Sequence, residues 1–129
     1  MKYYISRTLE NITFEDAISK VTELLKGQGF GILTEIDVRE TMKKKLDVDF
    51  RKYRILGACN PPFALRALQS EDKIGTMLPC NVIVQEINDS DIEVAAIDPQ
   101  ASMAAVENPA LTDVAVEIKS RLEKVINNL

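Results

Sequence analysis

Histidine and tryptophan are absent from the 129-residue sequence, and cysteine occurs only twice. Without histidine the chain lacks the commonest metal ligand in proteins and the usual general base near neutral pH. Two cysteines are too few for a disulfide scaffold, and two thiolates would leave half of a tetrahedral zinc site unfilled. We therefore expect no metal site, and we expect reduced thiols, as in a cytoplasmic protein.

Long hydrophobic runs and an excess of positive charge are missing as well. No segment approaches the ~20 apolar residues that cross a bilayer, and charged residues interrupt the amino terminus before a signal-peptide core develops. Sixteen Lys and Arg against twenty Asp and Glu give a formal charge of −4, which disfavours binding to nucleic-acid phosphates. Phosphate-binding glycine loops and nucleophile-elbow motifs are also absent. We expect neither a membrane nor a nucleic-acid partner.

The spacing of apolar residues predicts an α+β fold. It indicates strands near residues 2–9, 30–36, 53–59, 78–87 and 92–97, and helices near 14–26, 38–46, 61–69 and 109–129. Grouped strands favour an antiparallel sheet with helices on one face, in the order strand, helix, four strands, helix, with short helices inserted. The apolar density of residues 30–36 predicts that this strand lies well inside the sheet. No linker or repeat divides residues 1–129, so we expect one domain.

The last two predicted strands are apolar on both sides. One side carries Val82, Val84, Val94 and Ala96, and the other carries Ile83, Ile87, Ala95 and Ile97. Helices that cover only one face of a sheet leave the other to a partner. We therefore expect a homodimer, with coverage of the second face by the short helices as the alternative.

A repeated Cys-Asn dipeptide supplies the candidate site. Cys59-Asn60 ends one predicted strand, and Cys80-Asn81 begins the next. If these strands pair antiparallel, both dipeptides lie at the same end of the sheet. Asp98 follows the strand after Cys80, and a hairpin would bring it to that end too. The sequence therefore predicts a small-molecule pocket framed by Cys59, Asn60, Cys80, Asn81 and Asp98.

The chemistry of this corner has several interpretations. Cys59 directly precedes a proline-started helix, whose free N–H groups favour a nearby anion and hence a thiolate. A thiol-dependent enzyme or redox protein and an anion pocket are therefore alternatives. Asn60 either caps that helix or offers its amide to a ligand. Gly57 and Ala58 leave room for another backbone, a side chain or a ligand to approach closely. The cysteines could instead be small buried residues of a pure interaction module. No cofactor can be named.

Three segments resemble a bacterial and archaeal family, the domain-of-unknown-function 302 family. They are Phe30-Gly31-Ile32-Leu33-Thr34-Glu35-Ile36-Asp37, Tyr53-Arg54-Ile55-Leu56-Gly57-Ala58-Cys59-Asn60-Pro61 and Leu78-Pro79-Cys80-Asn81-Val82. The resemblance implies an α+β domain like one copy of the TATA-binding-protein fold, and it supports antiparallel pairing of the two cysteine strands. It implies a homodimer and no established reaction, and likeness of fold does not carry DNA binding with it.

Overall fold

The computed structural model describes residues 2–129 and has the α+β architecture expected from the sequence. Five strands form one antiparallel sheet in the order β1–β5–β4–β3–β2. The strands are β1 (Tyr4–Glu10), β2 (Gly31–Asp37), β3 (Tyr53–Cys59), β4 (Cys80–Glu86) and β5 (Asp91–Ile97). The helices are α1 (Phe14–Gly27), α2 (Val38–Leu46), α3 (Pro61–Ser70), α4 (Pro99–Ser102) and α5 (Pro109–Asn127), with a 3₁₀ helix over Asp72–Met77.

Helices α1 and α5 cover one face of the sheet. Helix α1 begins where Oγ1 of Thr13 accepts a hydrogen bond of 3.1 Å from the amide of Asp16, the first half of a capping box. Helix α5 begins at Asn108-Pro109, with the Asn108 side chain accepting from the amide of Ala110. Both helices contact β5. Their apolar faces enclose the alternate strand residues Val82, Val84, Val94 and Ala96.

The opposite face of the sheet carries an open groove of about 360 Å³. Strand residues of both apolar and polar character line it, with the tyrosines of the β1 end at one side. The homodimer expected across this face stays a prediction. In residues 2–129, no helix has both the length and the apolar character that a bilayer crossing requires.

Strand β2 lies at an edge of the sheet, so the prediction that it runs well inside the sheet is wrong. Its pairing with β3 shifts between Ile32 and Thr34, which leaves Leu33 in a bulge with 66% of its surface exposed. Bulges are a common way of protecting an edge strand from pairing with another chain. The apolar density of this segment therefore does not mark a central strand.

Two other segments of the chain approach β3 closely at Gly57. A Cβ at this position would collide with Oγ1 of Thr34 and would lie 2.8 Å from Cγ of Pro79. The expectation that something approaches this strand closely is confirmed. Thr34 belongs to the bulged strand and Pro79 directly precedes β4, so the missing side chain lets both pack against β3.

Replacing Gly57 with Ala should lower the free energy of unfolding by about 1–3 kcal/mol, because the proline ring cannot rotate out of the way. Gly31→Ala is the matched control, since a Cβ there meets nothing within 4 Å, and it should change stability by less than about 0.5 kcal/mol. Urea unfolding of both variants tests this. Equal stability of the two variants would contradict the close approach.

Candidate functional site

A half-open cavity of about 290 Å³ lies at the end of the sheet where β3 ends and β4 begins. Antiparallel pairing places Ala58 opposite Cys80, so Cys59 and Asn60 follow β3 at the same end at which Cys80 starts β4. Helices α3 and α5 and the 3₁₀ helix supply the other walls. The lining residues are Phe30, Leu33, Ala58, Cys59, Asn60, Phe63, Ala64, Ala67, Leu68, Gly75, Leu78, Pro79, Cys80, Met103, Val114 and Ile118.

Small side chains leave this space open. Ala58 on the sheet and Ala67 on α3 are each only 1% exposed. Ala64 lies about one helical turn before Ala67 and also lines the cavity. Larger side chains at these positions would fill the space, because protein interiors normally pack without voids. None of the described residues lining the cavity carries a formal charge. The cavity is therefore an apolar site with few polar atoms.

Asn60 is the one amide side chain among the described lining residues. It is 6% exposed and directly precedes α3, yet its side chain makes no capping bond to that helix. Its Nδ2 instead donates a 3.1 Å hydrogen bond to the carbonyl oxygen of Gln28, at the carboxyl end of α1. Of the two roles expected from the sequence, capping is thus excluded by the geometry.

The two cysteines are free thiols in different environments. Cys80 is buried, and Cys59 is partly exposed. Burial, and to a smaller extent the neighbouring Cys59, raises the pKa of Cys80 to about 11. Near neutral pH the Cys80 side chain is therefore a protonated thiol, which is a poor nucleophile and a poor metal ligand. Residues 2–129 contain no cluster of three or more Cys, Asp or Glu side chains arranged to hold a metal ion.

Comparison with known proteins decides the family. The sequence profile described as "Domain of unknown function DUF302" matches residues 5–129. The chain belongs to the DUF302 family. The structure is similar to the crystal structure of an uncharacterized conserved DUF302 protein from Bacillus stearothermophilus, with a TM-score of 0.89 and 27% sequence identity over 98% of each chain. None of the curated proteins matches the chain.

Two residues that the sequence places at the site do not line the cavity of this DUF302 chain. Side chains alternate between the faces of a strand, so Asn81 lies on the side opposite to Cys80 and lines the open groove. Asp98 is buried, and its Oδ1 accepts a 2.9 Å hydrogen bond from the amide of Gln100. Its Oδ2 forms a 3.0 Å ion pair with Nζ of Lys119. Asp98 therefore begins α4 and ties it to α5.

Most of the cavity wall was not identified from the DUF302 sequence. The residues missed are those of α3, α5 and the segments around them, whose apolar spacing is indistinguishable from that of ordinary core residues. One signal was present in α3, where Ala64 and Ala67 stand on the inward face between larger residues. Small residues at inward positions leave volume, but only the position of the facing element tells whether that volume is filled.

The buried Cys80 thiol should make stability fall in alkaline solution. Its folded pKa, raised to about 11 from the ordinary 9.0, means that the unfolded chain releases this proton first as pH increases. The contribution is complete well below pH 9 and is lost between pH 9 and 11, so the free energy of unfolding should fall by roughly 2 kcal/mol from pH 8.5 to 10.5 through this group alone.

Urea unfolding of the wild type and of Cys80→Ala at both pH values isolates this effect, since other titrating groups contribute equally to both proteins. Cys59→Ala is the control, and it should keep most of the fall because burial is the larger cause. An identical pH dependence in the wild type and Cys80→Ala would show that the Cys80 thiol is not buried in this way.

Proposed function

We propose that this DUF302 chain binds a small, uncharged and largely apolar molecule in the cavity lined by Cys59, Asn60 and Cys80. The observation that carries the proposal is the cavity itself, a space of about 290 Å³ with an apolar lining and one amide side chain. Concave, mostly apolar sites with a few polar groups are the usual form of small-molecule sites.

The size of the cavity supports a small ligand. A dry cavity of ~150 Å³ accommodates one benzene molecule, so about 290 Å³ suits a molecule of two fused rings or a short branched chain. Typical ligand pockets begin at ~300 Å³. A nucleotide or a polypeptide segment therefore has too little room.

The lining also supports an uncharged ligand. An ion that leaves water for an apolar site needs a counter-charge or several hydrogen bonds, and without them its transfer is strongly unfavourable. The described lining residues carry no formal charge.

A thiol-dependent reaction, the alternative raised by the sequence, has weaker support. Its two thiols do lie in one cavity, but the high pKa of Cys80 keeps that group protonated near neutral pH. A dithiol mechanism needs at least one thiolate to attack and a good leaving group to depart. Two unbridged thiols fit a reducing compartment, so we propose the cytoplasm as the location.

Naphthalene is a suitable first probe, because its two fused rings match the cavity and it carries no charge. We expect saturable binding in a two-dimensional amide NMR titration, with the largest shifts around Ala58, Ala67 and Ile118. Naphthalene-2-sulfonate should bind at least tenfold more weakly, because its charge would have to be desolvated in an apolar site.

Ala64→Trp tests the location of this binding, since an indole at this partly exposed lining position occupies the cavity. Ala110→Trp is the matched control, because Ala110 is exposed on α5 and lies outside the lining. Naphthalene binding should be lost in the first variant and kept in the second. No binding to the wild type, or equal binding to both variants, would overturn the proposal.

A further inference from the structure

The polar end of the cavity has an unusual construction at the start of α3. Asparagine at the residue before a helix normally accepts a hydrogen bond from the second or third helical N–H group. Here the first two residues of α3 are Pro61 and Pro62, which have no N–H groups. Only the third position is left as a donor, and the Asn60 side chain makes no capping bond with it.

The orientation of the Asn60 amide is fixed by its neighbour. A carbonyl oxygen can only accept, so the atom of Asn60 that meets the Gln28 oxygen at 3.1 Å must be the nitrogen. Gly29 makes room for this contact, because a Cβ there would lie 3.1 Å from Nδ2 of Asn60. Oδ1 is thereby turned away from Gln28.

Oδ1 of Asn60 accepts no hydrogen bond from any residue in 2–129. The residue is more than nine-tenths buried and lines the cavity. Oδ1 keeps contact with solvent, because among residues 2–129 only Nε of Arg54 is a fully buried side-chain polar atom without a partner. An accessible acceptor in a ligand-sized cavity is free to exchange water for a donor on a bound molecule.

We propose that the molecule bound in this cavity carries an uncharged hydrogen-bond donor, a hydroxyl or a primary amide, which it donates to Oδ1 of Asn60. The inference rests on the proposed function and adds the chemical class of the ligand: an apolar body with one neutral donor at its end. An anion is excluded from this class, because a carboxylate would place its oxygens against the Asn60 acceptor.

Two probes of the same skeleton separate this proposal from simple apolar binding. 2-Naphthol and 2-methoxynaphthalene differ only in that the second has a methyl group in place of the donated hydrogen. We expect wild-type protein to bind 2-naphthol about two- to tenfold more tightly, the usual net effect of one neutral hydrogen bond. Naphthalene, the probe of the proposed function, should bind with an affinity near that of 2-methoxynaphthalene.

Asn60→Leu removes the acceptor and should abolish the preference for 2-naphthol over 2-methoxynaphthalene. The Gln28 oxygen keeps a partner in this variant, because Nη1 of Arg121 also donates to it at 3.0 Å. If the variant does not fold, the wild type still decides. The ¹³C resonance of the Asn60 side-chain carbonyl should shift with 2-naphthol and stay in place with 2-methoxynaphthalene.

The results separate the two proposals. Naphthalene binding with equal affinities for 2-naphthol and 2-methoxynaphthalene would overturn the donor inference and leave the proposed function intact. A preference for 2-naphthol that persists in Asn60→Leu would overturn it as well, because the donor would then have another acceptor. Failure of all three probes to bind would overturn the proposed function.

Discussion

The pairing of β3 with β4 is the constraint on which the rest of the site depends. Ala58 lies opposite Cys80, and this register alone brings two segments that are twenty residues apart to one end of the sheet. A shift by one residue would turn every side chain of one strand to the other face. The buried Val82 and Val84 oppose such a shift, because it would expose them. Core packing on one part of β4 thus fixes the position of the cysteine at its start.

The cavity exists because the chain leaves this end of the core incompletely filled. Elsewhere α1 and α5 press leucine, isoleucine and valine against the sheet, and the largest side chains there are fully buried. Around the cavity, alanines face each other across the space between the sheet and α3. The residues that face this half-open space forgo packing contacts. Because Asn60, the one amide side chain among the described lining residues, lies beside it, we interpret the space as a ligand site.

Much of the fold was predictable because its signals are local. The caps at Thr13 and Asn108, the prolines that start α3 and α5, and the apolar spacing of each helix all depend on residues near in sequence. The position of β2 was not predictable, because an apolar strand with a bulge at Leu33 has the composition of a central strand. The site was predicted in part. Register explains why Cys59, Asn60 and Cys80 meet. Asn81 lies outside the lining because side chains alternate between the two faces of a strand. Asp98 lies outside it because it pairs with Lys119, a contact that no local pattern reveals.

Xenon provides the most direct measurement of the central claim, because it enters dry apolar cavities and avoids polar ones. In a crystal of this DUF302 protein equilibrated under xenon pressure, the account predicts xenon density between Ala58, Ala67 and Cys80. Hydrogen-bonded water filling that space, or xenon bound only elsewhere, would contradict the claim that this end of the sheet holds an apolar ligand site.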